Sequence, residues 1–102
     1  MRDKIYYCEP QYYKELQKFV FDKFKSAYWQ HSKSDRNILE SKGFMNNIGN
    51  NKYAIRIRLS NNDLLISYET LEYFANKYKN AKYYNYNNVI RKEKFNKILK
   101  KK

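Results

Sequence analysis

The chain has 102 residues, 42% hydrophobic and 19% aromatic, which suits one domain with its own core and is too short for two. Lys and Arg number 22 against 10 Asp and Glu, a formal charge of +12, so polyanionic partners are favoured. No run approaches the ~18 apolar residues of a membrane span, and Met1 to Pro10 lacks the apolar middle of a signal peptide, so the expectation is a cytoplasmic protein without a membrane partner.

AT-rich coding favours Lys, Asn, Tyr, Ile and Phe, and the use of 17 Lys, 5 Arg, 2 Gly and 1 Pro bears that mark. Asp and Glu are equally open to such a genome, so the positive excess stands. It is also uneven. Residues 1–51 carry nine basic and six acidic side chains, residues 52–102 thirteen and four. Val89 to Lys102 hold seven basic residues against Glu93 alone.

In chain order, lone Cys8 has no internal disulfide partner and reads as a small core hydrophobe. Pro10 suits a first helical turn, and Leu16, Phe19, Val20, Phe24, Ala27 and Tyr28 then recur at spacings of three and four. Lys14, Lys18, Asp22 and Lys25 fall opposite, which predicts an amphipathic helix over 10–30. A second, shorter helix is expected from about Asp35 to Lys42, capped by Ser34 or Asp35 and ended by Gly43, with Phe44 against Leu39. Met45 to Asn51 reads as a loop.

From Lys52 to Ser60 the period becomes two. Tyr53, Ile55, Ile57 and Leu59 alternate with Lys52, Ala54, Arg56, Arg58 and Ser60, a half-buried strand with a basic outer face. Asn61–Asn62–Asp63 is a turn, and Leu64 to Tyr68 opens a second antiparallel strand. Two readings compete beyond it. Leu71, Phe74, Ala75 and Tyr78 have helical spacing behind a capping Thr70; alternatively the strand runs to about Phe74, turns through 76–80 and returns as Ala81 to Asn87.

The runs LLISYET and KYYNYN, followed by a helix ending KFNKIL, resemble small phage and plasmid proteins in which an S-Y-x-T strand precedes a Tyr-rich strand and a C-terminal helix. The likeness covers residues 64–99, and Asn87 and Asn88 stand where those proteins carry a Ser/Thr pair. It implies the strand reading and a mobile-element origin, with the host cytoplasm as location, and implies no activity. A final helix over about Asn88 to Leu99 turns Phe95, Ile98 and Leu99 inward. The expected architecture is α+β in one domain, 1–102: two N-terminal helices, a small antiparallel sheet of two or three strands, and a basic C-terminal helix.

No catalytic signature is present. Gly43 and Gly49 read as turn residues rather than a phosphate loop, and one Cys with one His makes no structural zinc site, so no cofactor or metal is expected. His31 reads as a helix-end side chain, and Glu69 and Glu72 as solvated acids. Three groups suit binding. Arg56 and Arg58 share a strand face about 7 Å apart, with Lys52 further along it, at a pitch that can follow phosphates; a solvated outer face is the alternative. Tyr84 and Tyr86 share a side with Lys82, where rings can stack bases beside a phosphate-binding amine; packing as sheet core is the alternative. Arg91, Lys92, Lys94, Lys97, Lys100, Lys101 and Lys102 concentrate charge in one short stretch.

The favoured reading is a small non-enzymatic binder of nucleic acid or of a nucleoprotein. An alternative is an inhibitor docking on a host nucleic-acid enzyme, of the anti-CRISPR or anti-restriction kind. A lesser one is a ribosome-dependent mRNA-cleaving toxin, a metal-free class whose order of strands and helices matches poorly here. Oligomeric state has no signature in the sequence.

Overall fold

A computed structural model describes residues 3–40 and 51–87. Five strands form one mixed sheet: β1 (Lys4–Cys8), β2 (Tyr28–Trp29), β3 (Tyr53–Ser60), β4 (Asp63–Thr70) and β5 (Lys82–Asn85), in the spatial order β2-β4-β3-β1-β5. Helix α1 (Tyr13–Lys23) follows a 3-10 turn at Pro10–Tyr12, and a shorter helix α2 (Leu71–Lys77) links β4 to β5. This strand-rich α+β fold replaces the expected two N-terminal helices and small antiparallel sheet. The two-or-three-strand estimate fails because the sheet gains β1 and β2 beside the hairpin and the returning Tyr-rich strand β5, two of its pairings being parallel.

β1 escapes the period-two test because both of its faces are covered. Tyr6 and Cys8 pack with α1, while Ile5 packs the other way with Ala54 and Phe74 of α2. A strand buried on both sides reads as a continuous apolar run rather than as an alternation. β1 pairs antiparallel with β3, placing Ile5 opposite Arg56 and Tyr7 opposite Ala54, and parallel with β5, placing Lys4 opposite Lys82.

The amphipathic spacing from Leu16 onward does build a helix, and Leu16 and Val20 are fully buried under it. It stops at Lys23 rather than near residue 30, and Phe24 leaves helical geometry with ψ at 82°. A non-local cap explains the early end. The Arg36 guanidinium donates to the carbonyls of Phe21 (2.9 Å), Lys25 (2.6 Å) and Ala27 (2.5 Å), groups that a continuing helix would use itself. It also lies 4.9 Å over the Phe21 ring. Tyr28 and Trp29 thereby become β2 and pair with Leu65 and Ile66 of β4.

The helix expected from Asp35 does not form, because its backbone is engaged elsewhere. Trp29 N–H donates to the Asp35 carbonyl and Trp29 Nε1 to that of Asn37, both at 2.8 Å. Buried Gln17 grips Leu39 from both sides, accepting from its N–H at 2.6 Å and donating to its carbonyl at 3.0 Å. Asp35–Glu40 therefore run as an irregular strap along α1. Gly43, Phe44 and most of the expected loop lie outside the described residues.

β3 and β4 form the anticipated hairpin. Asn61 and Asn62 both take positive φ, 50° and 69°, the two-residue turn that matches strand twist and that Asn tolerates. Tyr53, Ile55 and Ile57 face α1 and are buried. The helical spacing of Leu71, Phe74 and Tyr78 prevails over the strand reading: Thr70 Oγ1 accepts from Tyr73 N–H at 3.2 Å, capping α2. The Tyr-rich segment returns as β5, and the final helix expected from Asn88 lies outside the described residues.

Burial has a titration consequence. Burial, with the neighbouring Tyr84 adding, pushes Tyr6 from 10.0 up to about 12. Cys8 rises from 9.0 to about 12 through burial, with Glu15 and Glu9 adding. Both groups keep in the fold a proton that the unfolded chain loses, so their contribution is full below pH 9 and is lost between about 9 and 12. Denaturant melts across that window should show stability falling with pH, and Tyr6→Phe should make the fall shallower. An equally steep fall in the variant would remove Tyr6 from this account.

Candidate nucleic-acid interface

The sheet face opposite α1 is covered only in part. Phe74 of α2 packs over Ile5 and Ala54, at the β1 side of β3. Beyond Ala54, the same face presents Arg56 and Arg58 in succession, both partly buried. Their cross-strand neighbours on β4 are Ser67 and Leu65, neither of them acidic.

The two arginines are held differently. Arg56 donates to Asp3 Oδ2 through Nε at 2.8 Å and pairs with the same oxygen through a terminal nitrogen at 2.6 Å. Its guanidinium lies 3.8 Å from the centroid of the Tyr78 ring, and its side chain is only 16% exposed. Arg56 is therefore fixed in place with much of its charge offset. Arg58 makes no ion pair among the described residues, and its Nε is buried without a hydrogen-bond partner. A charged donor left so costs about 1–3 kcal/mol or more, and such an exception calls for a physical reason.

Tyr78 joins Arg56 to a third cation. Lys77 Nζ lies 5.6 Å over the same ring and 5.5 Å over Tyr73, and donates to the Tyr73 hydroxyl at 3.4 Å. That hydrogen bond raises the Lys77 ammonium above its ordinary value, so it stays charged. Lys79 follows in the exposed turn after α2. Arg56, Lys77 and Lys79 thus gather around Tyr78 and Asp3, with Arg58 two residues further along the same face of β3. The described stretches carry thirteen basic and nine acidic residues in all, so grouping rather than count makes this patch.

The other predicted site residues are placed elsewhere. Lys52 is separated from Arg56 by α2, whose first N–H, from Leu71, donates to the Lys52 carbonyl. Its ammonium stands 3.9 Å from Glu9 and over the Tyr7 ring, so the expected row of three cations is interrupted. Lys82 is exposed but belongs, with Lys4 opposite it, to the α1 side of the sheet. Tyr84 stacks on Tyr6 at 4.8 Å, and Tyr86, 6% exposed, meets Phe19 at 5.3 Å. Both rings serve the core rather than a base-stacking platform. Arg91, Lys92, Lys94, Lys97, Lys100 and Lys101 lie outside the described residues.

Lys77, Tyr78 and Lys79 were not singled out by sequence. The signal existed in the spacing Leu71, Phe74, Tyr78, which makes 71–77 a helix and brings its end back over Arg56. His31 sits in the turn after β2, paired with Asp35 at 3.2 Å rather than at a helix end. Among the described residues no group of three or more His, Cys, Asp or Glu could hold a metal ion, and no helix is long and apolar enough to cross a membrane. Comparison with known proteins returns no match: no family model fits the chain, and no curated protein or solved structure resembles it.

Proposed function

We propose that this protein binds nucleic acid through its phosphate backbone, without catalysis, using the Arg56–Arg58–Lys77–Lys79 patch. The observation that carries the reading is Arg58. Its Nε is a buried donor with no acceptor, on a half-exposed basic face beside a second arginine already held in place. A phosphate oxygen supplies the missing acceptor once the Arg58 side chain turns outward, and the planar guanidinium suits paired hydrogen bonds to phosphate. With Tyr84 and Tyr86 committed to the core, affinity comes from charge rather than from base stacking, so sequence preference is weak. The seven basic residues of 89–102 add to the attraction by charge alone.

Gel-shift titrations with single-stranded and duplex DNA and RNA at two salt concentrations test this. Four phosphate contacts from the patch give a log–log slope of roughly −3, and contacts by the C-terminal lysines steepen it towards −5. Binding that ignores salt would contradict the proposal. So would tight capture of a preassembled nucleoprotein with no affinity for naked strands, which marks an inhibitor docking on protein.

A further inference from the structure

The turn that follows α2 borders an open pocket of about 270 Å³ lined by Asp3, Lys77, Tyr78, Lys79, Asn80 and Ala81. Its chemistry is that of an anion site. Lys77 and Lys79 are two cations in its lining, and Asn80 is a further polar residue there. Asp3, the acid in the lining, has its charge offset by Arg56 at 2.6 Å. Asp3 also anchors the far wall, its carbonyl accepting from Lys82 N–H at 2.9 Å, so the pocket is pinned to β1 and β5. The Tyr78 ring between Arg56 and Lys77 stiffens the wall nearest the arginines.

Lys79 and Asn80 are uncommitted. Neither donates a hydrogen bond within the described residues, whereas the flanking Tyr78 and Ala81 N–H groups bond to Phe74 and Tyr78 carbonyls. The lining therefore holds two cationic residues and, at Lys79 and Asn80, donors with no partner among the described residues. The pocket's size limits the acceptor they can meet. Drug-sized ligands occupy cavities of about 300–1,000 Å³, and one water takes about 30 Å³. A volume of about 270 Å³ matches one phosphorylated sugar or mononucleotide rather than several nucleotides in a row.

We propose that this pocket takes a terminal phosphoryl group, the dianionic phosphate monoester at a strand end or on a free nucleotide. A monoester carries nearly twice the charge of a backbone phosphodiester at neutral pH and presents three acceptor oxygens, which the two lysines and the turn donors match. The inference rests on the nucleic-acid reading for the strand-end source. A strand whose backbone lies along Arg56 and Arg58 then ends in the adjoining pocket.

Fluorescence anisotropy with one single-stranded oligonucleotide, labelled at its 3′ end and carrying either a 5′-phosphate or a 5′-hydroxyl, separates the possibilities. The phosphorylated form should bind roughly tenfold more tightly, and Lys77→Gln with Lys79→Gln should abolish the preference. Both lysines are exposed, so an unchanged thermal midpoint checks the fold of the variant. The same pair of measurements with the phosphate at the 3′ end and the label moved to the 5′ end shows which terminus is accepted. Competition by a nucleoside monophosphate at comparable concentration would assign the pocket to free nucleotides; no competition would assign it to strand ends. Equal affinity of both end chemistries, with no nucleoside monophosphate binding, overturns the pocket proposal and leaves the backbone reading intact. Binding of nucleoside monophosphate lost in the lysine variant, without any oligonucleotide binding, supports the pocket and overturns the backbone reading instead.

Discussion

Arg58→Met is expected to bind nucleic acid roughly tenfold more weakly while folding at least as stably as the parent. Methionine keeps an unbranched apolar stem of similar reach against the sheet and removes the charged head. The loss of affinity corresponds to about 1.4 kcal/mol, within the range of one charge-assisted hydrogen bond. Stability is expected to hold because the substitution deletes a buried donor that has no acceptor, and removing an unsatisfied group is neutral or favourable. Arg56→Met provides the contrast. That residue pairs with Asp3 and stacks on Tyr78, so its loss should reduce both binding and stability. Binding isotherms and denaturant melts on both variants check the pattern. A destabilised Arg58→Met with unchanged affinity would make Arg58 a structural residue and contradict the assignment.

The largest effect on the fold is expected at Arg36, far from the patch. Its guanidinium ties α1's last turn, the following loop and the 35–40 strap together through carbonyls of Phe21, Lys25 and Ala27. Arg36→Ala frees these acceptors and the contact with the Phe21 ring, and should cost about 2–3 kcal/mol. In a domain of this size that lowers the thermal midpoint by roughly 10–20 °C. Arg36→Lys should recover little, because one ammonium cannot span acceptors that a planar fork reaches together. A midpoint within a few degrees of the parent would show that the helix ends for local reasons instead.

Those two arginines also mark where the sequence was legible. Strand β3 and its hairpin stand out because one face is regularly apolar and Asn61–Asn62 suit the turn. Patterning of that kind placed Ile55 and Ile57 inward and Arg56 and Arg58 outward, as the structure has them. The end of α1 was not legible, since it is set by a side chain more than ten residues downstream. The missing second helix has the same origin: Gln17 and Trp29 claim the backbone that would have formed it. β1 was hidden by burial on both faces, and α2 by a resemblance that favoured the strand alternative over a helical spacing already visible. Of the candidate site, the arginine pair was readable from alternation alone. The tyrosines stayed open between base stacking and sheet core because alternation shows which residues share a side but not which side faces a helix. Lys77 and Lys79 could be found only by knowing that α2 returns its end over Arg56.

The most direct test of the backbone reading observes the Arg58 side chain itself. In a ¹H–¹⁵N spectrum of labelled protein, the arginine Nε–Hε signals are few, and Arg58→Met identifies the one from Arg58. Titration with a short single-stranded oligonucleotide at low salt should shift that signal progressively, together with the backbone amides of Lys79 and Asn80, and added salt should reverse the change. Saturable binding that leaves the Arg58 Nε–Hε signal unmoved while perturbing the α1 face would place the interface elsewhere and contradict the proposal.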